Sequence, residues 1–427
     1  MTDKKIIRGS GGPPPTPPAP YRAPDTLNSR QFATILDLLS EGEIEGFATP
    51  SREGISKGSI EYKHASFKDI FLNNTPILLQ SANNTSPQDS DFNFKNVVLN
   101  TKFGTNNQTK VKGIFASSSQ PTGFSAADCT KSGGGVSQEL ATGKDAVKVT
   151  IMFPQLQKAK DNGDLLGSKV ELKIGLQINN QTNPTHPTII TDTIAGRTAD
   201  PYSKEYRINL PDGYSQANVK VERVTNDNTG SDTIKDLFRV TLIQEITDNS
   251  NTYPDSAYTA LRLDSEQFSS IPKRAFRIRG IKVRIPAPNN GLTPTVDLAT
   301  GRIDYPENYV FNGQFGAAQW TSCPSCILLD LLTNERYGFG TFLDPDGTFT
   351  SSGTSTFLDL YSFVTASKYA NTLVDDGQGG QEARFSCNVN IQSSKEAYDL
   401  IKDLASIMRC VPIWSQGSIN LVQDAPS

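Results

Sequence analysis

The sequence predicts a multidomain, β-rich α+β protein, with a β-sandwich inserted into a first β-rich domain and an α+β domain at the carboxyl end. Three observations point there. A chain of 427 residues exceeds one ordinary core. Strand-like alternation of apolar and polar residues fills its middle, and helix-period stripes dominate only after Trp320. The expected division is 1–27 as a disordered arm, 28–100 with 256–320 as one discontinuous domain, 101–255 as the inserted sandwich, and 321–427 as an α+β domain left incomplete at its carboxyl end.

Gly9 to Pro24 is a glycine-then-proline run with almost no aliphatic residues, so it buries too little to offset its ordering entropy and reads as an extended, polyproline-like arm. Asn28 is a good N-cap with Gln31 in the capping-box position, and Phe32, Ile35, Leu36 and Leu39 follow at helical spacing, predicting a short helix ended by Gly42. The period then becomes two. Ile70 and Leu72 lead into an Asn73-Asn74 turn, and alternation recurs over Val147–Phe153, Val170–Ile178, Tyr206–Leu210, Val219–Val221 and Phe238–Leu242. These strands, divided by Asn, Gly, Asp and Pro clusters, are those of a sandwich between about Lys110 and Asn251. Ser81 to Ser90 and Ser117 to Ser137 read as loops.

Beyond Trp320, Pro324 opens a helix on Ile327, Leu328, Leu331 and Leu332 that Gly338 would close. A second helix is expected near Ser355 to Ala370, a strand over Phe385, Cys387, Val389 and Ile391, and a third helix from a Ser393/Glu396 capping box to about Cys410. Val411 to Trp414 and Ile419 to Val422 then form a strand, turn and strand. Their edge, carried by Val411, Ile413, Ile419 and Leu421, is an unfinished one that further polypeptide should complete.

Composition narrows the function. Lys plus Arg number 41 against 45 Asp plus Glu, a formal charge of −4, which argues against a surface built to grip phosphates. No apolar run reaches the roughly 20 residues that span a bilayer, and the start lacks a secretory core, so a soluble protein made in a cytoplasm is expected. Five cysteines at irregular spacing do not make a disulfide framework. The two histidines, His64 and His186, fall in different predicted domains and read as exposed residues, which leaves no imidazole for a nucleophile relay.

Cys323-Pro324-Ser325-Cys326 could be a redox pair or half a zinc site, but no second pair, nearby histidine or βαβ context accompanies it, so structural thiols are expected. Asp264 and Glu266, on one face of a strand about 7 Å apart, have the separation of a glycosidase carboxylate pair. Exposed acids at a strand end are commonplace, and no catalytic role is assigned. The acids of Asp375-Asp376-Gly377-Gln378-Gly379-Gly380 lack the alternation a calcium loop needs, and no helix follows to hold phosphate, so the glycines most simply make a tight connection.

Several short segments carry a family resemblance. In order they are Ser40-Glu41-Gly42-Glu43-Ile44-Glu45-Gly46, Leu72-Asn73-Asn74-Thr75-Pro76-Ile77, Val219 to Thr225, Leu263 to Phe268, Arg336-Tyr337-Gly338-Phe339-Gly340, Asp376 to Asn388, and Met408 to Trp414. None is specific alone; in this order they resemble the amino-terminal hub portion of the tail-tip attachment (host-specificity) protein J family of lambda-like siphophages. The signature positions are Asp264, Ser265, Glu266, Gln267, Phe268, Arg336, Tyr337, Gly338, Gly340, Asp376, Gly377, Gly379, Gly380, Arg384, Cys387, Asn388, Arg409, Cys410, Pro412 and Trp414, all with structural roles. The likeness runs from about Asn28 to Ser427, weaker between about Ser81 and Asp145, and leaves out the proline arm.

That resemblance implies phage tail hub domains, a virion location at the distal tail end, and a homotrimer closing the tail tube. It implies contacts with tail-tip ring proteins, tail tube and tape-measure protein, passage of phage DNA without specific binding, and host contact through downstream or partner regions. No enzyme activity, metal or cofactor is implied. The alternative is a carbohydrate-binding or polysaccharide-cleaving adhesion module, which would want exposed Trp and Tyr on a sandwich face; Trp320 and Trp414 both lie outside the sandwich.

Overall fold

The computed structural model describes residues 20–27, 32–113, 117–179, 187–228, 233–264, 267–268, 270–392 and 396–424. They form two compact units. One joins Met1–Arg30 to Val111–Asn251, and the other joins Gln31–Lys110 to Thr252–Ser427.

The first unit is built on two antiparallel sheets. One has the order Thr188–Gly196, Ser168–Ile178, Ala217–Arg223, Val136–Leu140; the other has the order Tyr202–Asn209, Ala146–Phe153, Phe238–Asp248, Ser117–Pro121, with Ala127–Cys129 also paired to Phe238–Asp248. Their alternating apolar residues meet in a shared core, where Val147, Val149, Ile151 and Phe153 of one sheet and Val170, Leu172 and Ile174 of the other are buried. Phe153 and Phe238 lie 5.3 Å apart within it. The buried Arg223 guanidinium is balanced by Asp236 at 2.9 Å and donates to the Asp236 carbonyl at 2.6 Å, as a charge in such a place requires.

Pro20–Leu27 depart from the expectation of a free arm through residue 27. They lie along this unit: Ala23 N donates to Leu165 O at 2.9 Å, and Leu27 packs against the core. The rest of the expected arm, residues 1–19, is outside the described residues.

The second unit draws together both sides of the insertion. Ser256–Asp264 is the middle strand of a three-stranded sheet, with Phe32–Glu41 on one side and Val98–Phe103 on the other. Its inner face meets a core of Phe47, Tyr62, Phe67, Ile70, Leu72, Leu261 and Leu263. The fully buried Asp69 carboxylate is satisfied by Thr49 N and Oγ1 and by Arg277 Nε at 2.7 Å. The Asn73-Asn74 turn forms as expected, both residues at positive φ between Ile70–Leu72 and Thr75–Pro76. A further core in this unit gathers Val283, Ile285 and Phe315 with the helices Pro324–Thr333, Leu360–Asn371 and Ala397–Ile407.

Several expected elements are corrected. The predicted helix after Asn28 is the strand Phe32–Glu41, and the proposed cap pair Asn28 and Gln31 lies outside the described residues. Its sequence fits both periods, since Ala33, Ile35, Asp37 and Leu39 also alternate; pairing with Ser256–Asp264, with one register shift between Leu38 and Ser40, selects the strand. Ala48–Arg52 and Ile60–Phe67 are helices that alternation hid, the latter opened by Ser59, whose Oγ accepts from Tyr62 N at 3.0 Å.

Pro324–Thr333 ends before Gly338, which instead turns back onto the helix, with Gly338 N donating to Asn334 O at 3.1 Å. Leu360–Asn371 begins at an Asp359 cap rather than near Ser355; Ala397–Ile407 has Glu396 at its N-cap, and Ser393 of the expected capping box lies outside the described residues. Among the described residues no ladder runs through Phe385 to Ile391. The pairing falls at Leu373–Asp375 with Gln381–Ala383, while Phe385 N and Cys387 N donate to Ala370 O and Ser322 O. Alternation there records an extended segment that buries Cys387 and exposes Val389 and Ile391 without a neighbouring strand.

Candidate functional site

The signature positions from Asp264 to Trp414 lie in the second unit, where several of them form structural junctions. In the largest, Arg336 Nε and Nη2 reach Glu41 Oε2 at 2.7 and 2.6 Å, and Nη2 donates to Ser256 Oγ at 3.0 Å. Asp255 lies 3.9 Å from the same guanidinium. The pair is half-exposed, so it is worth at most about 1 kcal/mol and its role is to set position. Beside it, Tyr337 Oη donates to Asp330 Oδ2 at 2.5 Å. Burial pushes the Asp330 carboxyl up to about 6, partly offset by that hydroxyl, and burial beside Asp330 raises the tyrosine.

The glycines of this junction are spatial requirements. A Cβ on Gly338 would collide with the Leu331 carbonyl, and one on Gly340 with the Thr333 carbonyl. Gly42, at φ +118, faces Tyr337, so the Ser40–Gly46 segment and the Arg336–Gly340 segment fit against each other. Asp330 and Asp255 were not among the expected site residues. An acid on the otherwise apolar helix Pro324–Thr333 was the signal for the first; nothing local marked the second.

A second junction holds the Leu263–Phe268 segment. Asp264 is 1% exposed and accepts from Asn96 Nδ2 at 3.1 Å. Gln267 Oε1 accepts from Lys95 N at 2.7 Å, and Phe268 stacks on Phe94 at 5.1 Å. Ser265 and Glu266 lie outside the described residues. The Asp264 carboxyl is thus committed to a packing contact instead of an open cleft.

Asp376 closes its own turn: its Oδ1 accepts from Gln378 N at 2.8 Å and Gly380 N at 2.9 Å, bonds that hold its carboxyl below the usual range. Gly377 and Gly379 take positive φ, as the tight connection needs. Arg384 stacks on Tyr369 at 4.6 Å, and Asn388 is exposed. Arg409, at φ +54, turns the chain into the last hairpin, where the buried Cys410 thiol donates to Gln423 Oε1 at 3.2 Å. Burial raises the Cys410 thiol to about 11.

The hairpin pairs Cys410–Ser415 with Ser418–Gln423. Ile419 exchanges backbone bonds with Phe357 and Asp359, and Leu421 N donates to Ser362 Oγ, so the chain itself covers the outer edge of the second strand. Among the described residues no strand pairs with the outer edge of Cys410–Ser415. Val411 and Trp414 are 58% and 64% exposed there, Ile413 is exposed beside them, and Pro412 lacks an edge donor.

Cys323, the N-cap of Pro324–Thr333, and Cys326 are both buried over Ser367, whose Oγ is 3.1 Å from Cys323 Sγ and 4.0 Å from Cys326 Sγ. Burial opposes charge on Cys323, yet bonds from Cys326 and Ser367 outweigh it and bring the thiol down to about 6, while Cys326 is pushed up. Among the described residues no group of three or more His, Cys, Asp or Glu could hold a metal ion. His64 Nδ1 bonds Asn84 O at 2.8 Å, and His186 lies outside the described residues.

Residues 126–249 match the family model for the FNIII-A domain of tip attachment protein J. Tip attachment protein J of Escherichia phage SECphi4 is 31% identical over 98% of this chain, and that of Escherichia phage SECphi27 is 28% identical over 99%. This chain resembles tip attachment protein J along nearly its whole length. It spans about a third of those J proteins, 32% and 31% of their lengths. The overlap with a chain of the T13 IBDV viral particle, 10% identical over 35% of each chain, has a TM-score of 0.17 and carries no weight for the fold. The segments Ser40–Gly46 and Arg336–Gly340, singled out in the sequence, interlock at the first junction.

Proposed function

We propose that this chain is a non-enzymatic structural component of a phage tail tip. Three copies surround the tail axis, close the distal end of the tail tube, anchor tail-tip ring proteins and the end of the tape-measure protein, and leave a passage for DNA during ejection. The observation that carries this is the J-like sequence over 98% of the chain. The junctions add a physical reason, because Asp264 and Arg336 are spent on holding distant chain segments together, and Tyr337 and Asp376 on local bonds.

A ring subunit needs lateral contact surface, and the exposed side of Phe32–Glu41 offers Phe32, Leu36 and Leu38 in one row at the end of a sheet. The hairpin face of Val411 and Ile413 is a second candidate contact. With a net charge of −4, the chain suits a passage through which DNA must move without being held. Gold-labelled antibodies raised against the sandwich test the location. Label confined to the tail end of intact particles is expected; label on the head or along the tail shaft would contradict it.

A further inference from the structure

We propose that Pro20–Leu27 is a strap seated in a groove of the sandwich unit, and that Arg197 is the latch holding it there. The backbone of the strap is engaged almost continuously. Tyr21 N donates to Asp164 Oδ1 at 2.7 Å, Leu165 N to Tyr21 O at 2.8 Å, and Ala23 N to Leu165 O at 2.9 Å, so Arg22 pairs with Leu165 as a short parallel strand.

Arg197 then grips the next turn of the path. Its Nη1 donates to Ala23 O at 2.9 Å and to Asp25 Oδ1 at 2.7 Å, while Thr26 N donates to Arg197 O at 3.1 Å. Two glycines make the groove. A Cβ on Gly163 would press on Pro20, and one on Gly196, at φ +149, would collide with Thr26 and Leu27.

The Arg197 side chain is 10% exposed, so its charge sits beneath the strap and depends on the strap for its carboxylate, Asp25. A guanidinium this buried is costly without a partner, which makes strap and latch mutually dependent. The groove is therefore a docking site for an extended peptide, and the peptide it fits is this chain's own Tyr-Arg-Ala-Pro-Asp-Thr-Leu segment.

Trypsin provides the test, because the Arg22–Ala23 bond lies inside the strap and is cut only when the strap leaves the groove. In the full chain, Arg197→Ala is expected to raise the rate of cleavage after Arg22 about tenfold or more. Asp25→Ala, which leaves the sandwich side of the groove intact, should raise it as well. The double variant should be no faster than the faster single one, since both changes remove one interaction. Equal rates in wild type and Asp25→Ala would overturn the latch, and so would additive effects of the two changes. Because Asp25→Ala lies on the strap, its result stands even if Arg197→Ala unfolds.

Discussion

Asp330 is the residue whose environment has the clearest consequence. Its carboxyl titrates near 6 in the folded chain because burial disfavours its charge, against about 3.9 in an unfolded one. The folded state therefore holds this proton more tightly. The stability it contributes is complete below about pH 4 and is lost as pH rises through about 6, a difference of order 2–3 kcal/mol. Asp330→Asn should flatten that part of the profile in denaturant unfolding measured from pH 4 to 7, and at pH 7 the variant should be at least as stable as wild type. Tyr337→Phe removes the one hydroxyl that offsets the burial and should lower stability at pH 7 by about 1–2 kcal/mol. A wild-type profile with no fall between pH 4 and 6 would show that Asp330 is not protonated in this way. At Gly338 the expected effect is steric: Gly338→Ala drives a methyl into the Leu331 carbonyl and should cost more than about 2 kcal/mol in the same measurement.

Among elements, the strand Phe32–Glu41 links stability to assembly most directly. Ile35 points to the core, whereas Leu36 and Leu38 point away from it, with Leu38 61% exposed. Leu36→Lys combined with Leu38→Lys should leave thermal unfolding of the chain within about 0.5 kcal/mol of wild type, as surface changes do. Incorporation into particles, read by tail-assembly complementation, should fall sharply. Normal incorporation would remove this face from the assembly contacts. The same strand explains what sequence could and could not disclose. The sandwich strands were legible because Val147–Phe153 and Val170–Ile178 alternate over many residues and each side chain reports one face. Phe32–Glu41 was not, because its partner Ser256–Asp264 lies more than two hundred residues away and local spacing fits a helix equally well. The Phe385–Ile391 segment alternates without any ladder, and the strap at Pro20–Leu27 owes its order to Arg197, Gly163 and Gly196, which its own composition does not reveal. The motif segments were visible as motifs. That Glu41 would meet Arg336 or that Phe268 would stack on Phe94 was set by tertiary structure alone.

At the scale of the molecule, the described residues divide into a sandwich unit that carries the FNIII-A match and a second unit in which the Ser40–Gly46 and Arg336–Gly340 segments interlock. The exposed faces of Phe32–Glu41 and the final hairpin are the candidate contact surfaces of the proposed assembly. The proposed threefold assembly needs two such faces, because a head-to-tail contact joins one to the other until the ring closes. The most direct measurement is a cryo-electron microscopy map of the intact particle in which this chain is traced. Three copies related by a threefold axis at the distal end of the tail are expected. Density for the chain elsewhere in the particle, or a different symmetry at the tail end, would contradict it.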